Sequence, residues 1–583
     1  MYSKLYFARK KILSFLLVCS LACFCFIVAI KSPITIIDGP TPLSGGPFEA
    51  MFYIENSDTG SFTCVGDGLV NTSSELFGKT IVASAIITAP DYGDYLPKDL
   101  SVIWDSITYL YDHLCVIGTI GVTGEAEDAI SDHTWVDTSQ YDSSAQRIID
   151  SISTAKTLYF STSGKDSNSG LDPDHPKKNP TDYLRNGNCT LLFKSGDIFT
   201  LKYALSVGGN TKVSTYGGNQ RAVINWVPIN SSNFQVYDAA NNIYYAPIDK
   251  LTSSHYKVAW LKIKDINSVD WQKVFSYNDL NHNMDFYSDS STGMLYVKSN
   301  TDLTGLSFAF ASDAGGFVLK NANRYLLENL EISGAGLGIN VCNASDVVIR
   351  NCYVHHVGGI EDYNASDNSY FRYGNGIQIW ATNTNNIYVH DNYVSDCFDA
   401  GITPQISGTG HKPSDSIYLY DNYIDRCLYN IEFFEHNRER NVPLTNVVVQ
   451  NNILTNAMDI TNGYRYATYG YTSYFCAWSS LCEDTSFTVS NNIGYGTKDY
   501  AFAFYEDSPD DVNTIDDNTL VVINKNDVSD CVKNYDLYTG TDDQIIPSSQ
   551  LSTDVREVKA EIYNYTSNMD MNNLFFSYLD KYL

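Results

Sequence analysis

Two acidic side chains fall in neighbouring copies of one alternating pattern, where paired carboxylate chemistry is feasible. Glu432 lies between apolar residues in segment 430–433, and Asp399 lies just before the matching segment 401–404. If these segments are adjacent parallel strands, their backbones stand about 4.8 Å apart. Two carboxyl groups so placed can act on a glycosidic bond, one as general acid and the other as base or nucleophile. Glu435, at the start of the predicted loop 435–441, is a third candidate catalytic acid.

A structural explanation of the same acids stays open. Glu432 would then be one member of a cross-strand ladder, hydrogen-bonded by Thr403 on the preceding coil. Asp399 would then cap a turn. Both explanations require the two segments to be neighbours, so both depend on the register of the strands.

Basic side chains near these segments offer a second chemistry, β-elimination. Removing the proton beside a uronate carboxylate requires a base such as Lys, Arg, His or Tyr, and a cation that neutralises the carboxylate. Such groups are available at Arg372, His411, His436, Arg438 and Arg440. The aligned segments themselves carry a carboxylate and no basic group, so the sequence favours hydrolysis over elimination.

Polar and aromatic residues beside the acids are the predicted substrate-binding groups. Flat aromatic rings stack on sugar rings, and amides, hydroxyls and cations bind sugar hydroxyls. Cross-strand contacts between aromatic residues would equally stabilise a sheet, which is the structural alternative. The candidates are Arg372, Tyr373, Gln378, Trp380, Thr403, Gln405, His411, Phe434, His436 and Arg438.

The sequence predicts neither a metal nor a cofactor. It contains no P-loop, dinucleotide-binding fingerprint, G-x-S-x-G motif or zinc-ligand spacing. His355 and His356 are adjacent, so on a strand they would point to opposite faces and could not grip one ion. Ten of the 13 cysteines follow residue 30, without a C-x-x-C pair, and are predicted to be buried free thiols.

The elements that must position these residues repeat along the chain. An apolar–any–apolar–any pattern ends in Asn or Asp at positions 329, 351, 391, 421, 451 and 491, and a second short apolar segment follows at once. Two strands separated by one polar residue cannot form a hairpin, so the chain bends without reversing. Asn and Asp tolerate the left-handed conformation of such a corner, and their side chains can hydrogen-bond along the stack. Units of this kind stack into a solenoid.

A third strand in each coil completes the predicted architecture. Segments 338–341, 376–379, 401–404 and 430–433 align, and 502–504 continues them. Their apolar residues would face inward, whereas Asn340, Gln378, Thr403 and Glu432 would form an outward column. The sequence therefore predicts an all-β chain, a parallel β-helix with three strands per coil, and a groove along this column.

Further stretches resemble the right-handed parallel β-helix (pectin/pectate-lyase-like) superfamily, and in particular its exported bacterial polysaccharide-active members. Segments 159–170 and 192–197 are similar to the entry strand and first coil of such proteins, and segments 284–287 and 293–297 to a β-rich insertion. Segments 372–376 and 399–403 are similar to the coil edges that line their cleft. The resemblance implies a right-handed β-helix and a polysaccharide as substrate or ligand.

The first 31 residues are predicted to be a cytoplasmic tail and a transmembrane signal-anchor. Lys4, Arg9, Lys10 and Lys11 precede an uncharged segment at 12–30, long enough to span a bilayer, so the bulk of the chain would be extracytoplasmic. Secretion after signal cleavage is the alternative. The predicted divisions are a domain or stalk at 32–155, the β-helix at 156–535 with an insertion at about 232–310, and a cap at 536–583 containing a helix at 555–563.

The charge balance restricts the partners. With 67 acidic against 38 basic residues, the net charge of −29 opposes binding to phosphate backbones, so we exclude nucleic acid. The expected protein is a monomeric, membrane-anchored, extracytoplasmic enzyme that cleaves or modifies a polysaccharide, with glycoside hydrolase preferred to polysaccharide lyase. The alternative is a non-catalytic glycan-binding, adhesin or scaffold protein of the cell surface.

Overall fold

The structure is a computed structural model that describes most of the chain between residues 129 and 547, together with strand backbone on either side. The described residues are 129–130, 132–200, 204–225, 227–248, 258, 261–263, 269–274, 276–283, 285–289, 291–300, 303, 307–310, 316–358, 360–364, 369–380, 382–407, 412–436, 442–457, 471–478, 485–497, 499–504, 514–522, 525–535, 538–540 and 542–547, and the strands at 34–121 and 557–560. The predicted membrane anchor at 1–31 lies outside them. Within the described part, no helix has the length and apolarity needed to cross a bilayer.

The described chain winds into a stack of coils in which every strand pairs in parallel with its counterpart in the next coil. Val347 pairs with Ile387, which pairs with Ile417, which pairs with Val447. Two parallel sheets run along the stack, one of ten strands and one of 17, and the larger sheet contains two series of strands that pair from coil to coil. This arrangement confirms the predicted parallel β-helix. Because copies of the apolar pattern pair with one another in successive coils, the pattern is a structural repeat. Crossovers between parallel strands of one sheet are right-handed in nearly all folds.

We call the ten-stranded sheet the first sheet. The two series of strands in the 17-stranded sheet are called the second and third sheets, in the order in which the chain passes through them within a coil. The first sheet contains Lys156–Phe160, Cys189–Lys194, Thr211–Tyr216, Asn323–Glu328, Ser345–Arg350, Asn385–His390, Ser414–Tyr420, Leu444–Gln450, Phe487–Ser490 and Thr514–Asp516. The second contains Ile198–Thr200, Ala222–Asn225, Leu330–Ser333, Tyr353–Val357, Ile453–Thr455, Ile493–Thr497, Thr519–Val522 and Gln544–Pro547. The third contains Leu205–Val207, Phe317–Lys320, Ile339–Cys342, Ile377–Trp380, Ser473–Trp478, Tyr500–Phe504 and Val532–Lys533. Tyr393–Ser407 and Tyr423–His436 are continuous strands that bend from the second sheet into the third.

The interior of the stack is one continuous apolar core that runs from Leu158 to Ile545. Alternate residues of the strands point into it, except where a residue of positive φ such as His356 interrupts the alternation. Ile377, Ile402 and Ile431, for example, lie at equivalent positions in successive coils and are fully buried. Because one coil alone cannot bury this face, the coils are stable only as a stack.

The corners between the first and second sheets have the predicted left-handed conformation. Asp391, Asp421, Asn451 and Asn491 have φ angles between 52° and 55°, and Asn329 and Asn351 match them. The stacked hydrogen bonds, however, come from the next residue along the chain. Asn422 Nδ2 donates to Asn452 Oδ1 at 3.0 Å and also to the carbonyls of Val389 and Tyr420. A side chain at this following position points into the stack, where the carbonyl groups of the corner lie. The ladder members are Asn392, Asn422, Asn452, Asn492 and Asn518.

A helix at Ser139–Ser151 covers the outer face of the first sheet. Ala145 and Ile149 pack on Leu326, Val348 and Tyr388. At the start of the helix, Thr138 Oγ1 donates to Asp421 Oδ2 at 2.9 Å, and Tyr420 donates its hydroxyl to Asp142 Oδ1 at 3.0 Å. The helix thus shields one side of the stack and adds acidic groups beside the corner residue Asp421.

The remaining strands of the described chain pair antiparallel, except that Gln272–Val274 pairs in parallel with Asp285–Asp289. Those of the insertion are Val227–Asn230, Gln235–Asp238, Ile243–Pro247, Leu261–Ile263, Val269–Asp270, Gln272–Val274, Asp285–Asp289, Met294–Lys298 and Ser307–Phe310, and Ile360–Asn364 pairs with Ser369–Tyr373. The N-terminal region contains Ile34–Ile37, Pro47–Glu55, Phe62–Val65, Leu69–Phe77, Thr80–Thr88, Tyr95–Leu96, Ser101–Trp104, Ile107–Tyr109 and Val116–Gly121. The short helices are Thr181–Leu184, Ser231–Asn233, Tyr277–Asp279 and Val528–Cys531.

The C-terminal segment differs from the prediction in two ways. Gln544–Pro547 pairs in parallel with Thr519–Val522, so the second sheet continues past the predicted boundary at residue 535. The expected helix at 555–563 is wrong, because Glu557–Ala560 is a strand that pairs antiparallel with Val116–Gly121. The amphipathic pattern of this short segment is compatible with either structure, and pairing with another strand decides between them.

The environment of Asp421 makes the stability of the stack depend on pH. Burial, with the negative charges of Asp391 and Asp142 as smaller contributions, raises the pKa of Asp421 to about 6 from the ordinary value of 3.8. The protonated group therefore stabilises the fold below about pH 4, and this contribution is lost as the pH rises through about 6. We expect Asp421→Asn to raise the melting temperature at pH 7.5 by about 1–3 °C, since the amide can still accept from Thr138.

Thermal unfolding monitored by circular dichroism at pH 4 and pH 7.5 measures this effect. The difference between variant and wild type should vanish at pH 4. Asp517→Asn is the matched control, because Asp517 occupies the equivalent left-handed corner, with φ 54°, but is exposed. A gain for Asp421→Asn that is equal at both pH values would contradict the proposed ionisation.

Candidate functional site

The outward residues of the third sheet form one straight column. Asn340 pairs with Gln378, and Gln378 pairs with Thr403. Ile402 pairs with Ile431 in the following coil, so the next residues along these two strands, Thr403 and Glu432, also lie side by side. The register thus places the four predicted column residues on one line.

The column continues through three positions that the sequence analysis did not assign as site residues. Glu432 pairs with Cys476, Cys476 pairs with Ala503, and Ala503 pairs with Lys533. The sequence does indicate an outward position for Cys476, because an apolar residue lies on either side of it in segment 475–477. Loops of unequal length separate these coils, so spacing alone did not reveal the alignment. Lys533 is a basic group in the column, and the sequence-based reason for preferring hydrolysis is therefore wrong.

A second outward column runs beside the first. Trp380 pairs with Gln405, and Gln405 pairs with Phe434. The Trp380 and Phe434 side chains are partly exposed, whereas Gln405 is buried. The predicted binding residues of the strands therefore form two neighbouring rows on one surface, with the aromatic rings on the more exposed row.

Glu432 is the central acid of this surface and is held by its neighbours. Its carboxylate is only 4% exposed, and Oε2 accepts from Thr403 Oγ1 and from Gln405 Nε2, both at 3.0 Å. Hydrogen bonds to a buried charged group are among the stronger ones in proteins. The contact with Thr403 is the ladder contact considered as the structural alternative, and it also fixes the direction of the carboxylate.

Asp399 lies one coil before Glu432, in the continuous strand Tyr393–Ser407. The register with the next strand shifts between Cys397 and Ala400, so the backbone bends at this acid. Asp399 is buried, and its N–H donates to the carbonyl of Gly374 at 3.3 Å. The acid is therefore part of the strand rather than the cap of a turn.

Asn375 connects the backbone beside Asp399 to the column. Its Nδ2 donates to Gln378 Oε1 at 2.8 Å, and its Oδ1 accepts from the Ala400 N–H at 3.2 Å. Asn375 is itself buried, so its amide has fixed partners in both directions. It was not predicted as a site residue, although it lies in segment 372–376, which resembles a cleft edge.

Cys476 is a buried thiol beside Glu432 in the column. Burial raises the pKa of Cys476 well above its usual value, and the negative charges of Glu432 and Asp399 add to the effect. Tyr471 places its hydroxyl 3.8 Å from the sulfur, and the Lys533 ammonium opposes the shift. The strand register places Glu432, Cys476 and Lys533 in one column, and Asp399 lies in the strand one coil before Glu432.

Lys533 joins the column to an open pocket at its C-terminal end. Its Nζ lies 4.0 Å from the centroid of the Tyr471 ring, and burial lowers the pKa of this lysine. Lys525 Nζ lies 4.8 Å from the Tyr500 ring centroid on the same side. The pocket has a volume of about 470 Å³ and is lined by Tyr500, Lys525, Ser529, Asp530, Val532, Lys533 and Asn534.

Glu435 does not belong to this group. It was predicted on a loop, but it lies within the strand Tyr423–His436, where it pairs with the core residue Ile406. Its Oε2 accepts from Thr485 Oγ1, and its side chain is fully buried. Alternation along the strand turns Glu435 to the face opposite Phe434. We therefore remove it from the candidate catalytic acids.

Of the remaining predicted residues, three lie in described strands and two lie outside the described chain. Arg372 and Tyr373 lie in the strand Ser369–Tyr373, where Arg372 pairs with Glu361. His436 ends its strand opposite Ser407. His411 and Arg438 lie outside the described residues.

His355 and His356 correct another expectation. His356 has φ 51°, which breaks the alternation of the strand, and the Nδ1 atoms of the two rings lie 2.8 Å apart. They therefore share a hydrogen bond instead of facing opposite sides, and His355 Nε2 also lies 3.2 Å from Glu331 Oε1. Among the described residues no cluster of His, Cys, Asp and Glu could hold a metal ion.

The described cysteines are free thiols. Six of the seven are buried, and Cys342 is partly exposed. A large apolar core does not require cross-links, which fits the absence of disulfides in this part of the chain.

Comparisons with known proteins find similarity only among solved structures. No protein-family model and no curated protein matches the chain. The pectate lyase Pel9A is 14% identical over 65% of this chain and 72% of its own, with a TM-score of 0.36. An alginate lyase from Paenibacillus is 12% identical over 63% and 91%, with a TM-score of 0.36. A family 28 exopolygalacturonase from Yersinia enterocolitica is 11% identical over 90% of each chain, with a TM-score of 0.33. The β-helical fold rests on the strand pairing described above, and these likenesses carry no conclusion about the reaction.

The ladder contact to Glu432 is testable by substitution of its donor. Thr403→Val keeps the shape of the side chain but removes the hydroxyl that donates to a buried carboxylate. We expect a loss of about 1.5–3 kcal/mol in the free energy of unfolding, measured by urea denaturation. Thr403→Ser retains the donor and should lose less. Equal stability of Thr403→Val and wild type would show that this hydrogen bond contributes nothing.

Proposed function

We propose that this chain is a carbohydrate-active enzyme that cleaves a polysaccharide on the outer surface of the third sheet. The observation that carries the proposal is the strand register of the third sheet. It places Glu432 between Thr403 and Cys476 in one outward column, and Asp399 lies in the strand of the preceding coil. Thr403 and Gln405 fix Glu432 from one side, and the aromatic rings of Trp380 and Phe434 lie in the adjacent row.

The first candidate reaction is hydrolysis of a glycosidic bond. One carboxyl group donates a proton to the leaving oxygen, and the other acts on water or on the anomeric carbon. Asp399 and Glu432 share these two roles. Preorganised groups of this kind typically contribute factors of about 10²–10⁴ to the rate. Trp380 and Phe434 would stack against sugar rings on either side of the cleaved bond.

The second candidate reaction is β-elimination at a uronate, and the position of Lys533 favours it. Burial lowers the pKa of this lysine, so more of it is neutral than of an exposed lysine at the same pH. A neutral amine can take the proton beside the sugar carboxylate, after which the double bond forms and the glycosidic oxygen leaves. Lys525, in the same pocket, supplies positive charge for that carboxylate.

Two matched variants separate these reactions. Glu432→Gln keeps an acceptor for Thr403 and Gln405, and Lys533→Gln removes the amine. The chain is incubated with a panel of polysaccharides while reducing ends and ultraviolet absorbance are measured. For hydrolysis, we expect reducing ends without new absorbance and a loss of at least about 100-fold in kcat for Glu432→Gln. For elimination, we expect absorbance from an unsaturated product, lost in Lys533→Gln.

The control is Glu328→Gln, in the first sheet, where Glu328 pairs with Arg350. It should retain the activity of the wild type. Full activity in Glu432→Gln, with an unchanged melting temperature, would reject the assignment of this acid. Retention of a polysaccharide without any product would identify a glycan-binding or adhesin protein instead.

The proposed location is the extracytoplasmic face of the cell membrane, with the uncharged segment 12–30 as a single anchor. A polysaccharide outside the cell would then reach the third sheet directly. Fractionation of cells that express the full chain tests this proposal. We expect the protein in the membrane fraction, and expect it to be lost from that fraction when residues 1–31 are removed. Release into the medium of a chain that lacks the N-terminal segment would support cleavage of a signal peptide.

A further inference from the structure

The insertion between the coils carries a second surface with a distinct chemistry. Its five-stranded sheet is formed by Gln235–Asp238, Ile243–Pro247, Met294–Lys298, Asp285–Asp289 and Gln272–Val274, in that order across the sheet. One face packs on the core of the insertion through residues such as Phe286, Leu295 and Val297. The opposite face carries a group of tyrosines.

Strand register sets these tyrosines side by side. Gln235 pairs with Tyr245, Tyr245 pairs with Tyr296, and Tyr296 pairs with Tyr287, so one row crosses four strands. Side chains directly opposite each other on one face of a sheet are in contact distance. The Tyr287 and Tyr296 rings are nearly parallel, at 15°, with centroids 6.2 Å apart.

Two further rings complete the group, which we call the tyrosine platform (Tyr237, Tyr245, Tyr277, Tyr287 and Tyr296). The Tyr237 centroid lies 5.0 Å from that of Tyr296, 5.5 Å from that of Tyr277 and 5.9 Å from that of Tyr245. Tyr277 lies 5.4 Å from Tyr296. Each ring therefore contacts at least one other, and the platform is continuous.

The platform is open to solvent. Tyr237 is 54% exposed, and the other four rings are partly exposed. Exposed clusters of aromatic side chains generally mark a binding surface. Exposing these rings gives up the stabilisation that burial would provide, and a bound ligand can restore it. Within the described chain, the platform lies in the insertion and shares no residue with the third-sheet column.

Polar groups surround the rings. Tyr245 donates its hydroxyl to Gln235 Oε1 at 2.7 Å, and Asp238 and Asp289 end strands of the same sheet. Lys298 ends the central strand. Two carboxylates against one ammonium make the border weakly negative, which opposes an anionic partner such as a polyuronate or a nucleic acid.

We propose that the tyrosine platform binds a chain of neutral sugars and so holds the polysaccharide at a second site. Sugar rings present flat C–H faces that pack on aromatic rings, and their hydroxyls find donors and acceptors in the phenols and in the bordering carboxylates. The weakly negative border selects neutral sugars over acidic ones. This inference rests on the hydrolysis candidate of the proposed function, because a polysaccharide of neutral sugars has no uronate for β-elimination.

Affinity electrophoresis of the full chain through gels that contain a neutral glucan, mannan or galactan tests the platform. The measurement is made in the Glu432→Gln background, so that cleavage does not alter the gel. We expect retardation by at least one of these polysaccharides. Tyr237→Ala should weaken the apparent affinity about tenfold, because it removes the most exposed ring of the platform. Tyr535→Ala, which removes a ring that is 44% exposed and lies elsewhere in the chain, is the matched control and should bind as wild type.

The outcomes separate this inference from the proposed function. Binding that depends on Tyr237, without any cleavage by the chain that retains Glu432, would support the platform and reject the enzyme. Equal retardation of Tyr237→Ala and wild type would overturn the platform. So would retardation by polyuronates alone, or a dimer in size-exclusion chromatography that Tyr237→Ala converts to monomer. Tyr237→Ser is a second variant without the ring. We expect it to show the same far-ultraviolet circular dichroism as wild type and the same weakened binding as Tyr237→Ala, so that misfolding is not the cause of the loss.

Discussion

The buried asparagine ladder fixes the spacing of the coils, and the other features of the stack depend on that spacing. In the coils from Asn392 to Asn492, the amide of the ladder Asn donates to two backbone carbonyls and to the Asn oxygen of the next coil, as Asn452 does to Leu419, Gln450 and Asn492. Its oxygen also accepts from the backbone N–H and the amide of the preceding ladder residue. Unsatisfied buried polar groups cost about 1–3 kcal/mol each, so a slip of one residue in any coil would be expensive. The ladder thus selects one register, and that register aligns Thr403, Glu432 and Lys533.

Buried charged groups also link neighbouring coils within the second sheet. Arg426 is buried and makes bonds of 2.8 and 3.0 Å to Asp396, and it also pairs with Asp425. Burial acts to raise the pKa of Asp396, but the charge and hydrogen bonds of Arg426, with smaller contributions from His356 and Ser395, together hold this pKa far below its usual range. Breaking such a buried pair from one side leaves an uncompensated charge and is strongly destabilising. The second sheet is therefore a rigid support for the third, where the candidate site lies.

The fold could be predicted from the sequence because the repeat depends on residues that are close together in the chain. The Asn and Asp residues at 391, 421, 451 and 491 indicate a bend, and the apolar–polar alternation indicates which face each side chain lies on. Sequence reasoning could not place Cys476 and Lys533 in the column, because register across unequal loops is decided by pairing between distant segments. It placed Glu435 on a loop because a polar run resembles one, whereas the strand continues to His436. It misjudged His355 and His356 because one residue with positive φ reverses the alternation.

The central claim is that stacked coils bring Asp399, Glu432 and Lys533 to one surface that holds a polysaccharide. A crystal structure of the full chain carrying Glu432→Gln, in complex with an oligosaccharide of a polysaccharide that it binds, tests this claim most directly. We expect sugar units along the third sheet, beside Trp380 and Phe434, with one glycosidic bond next to position 432. An oligosaccharide bound only elsewhere on the molecule, or acids at 399 and 432 on different faces of the stack, would contradict it.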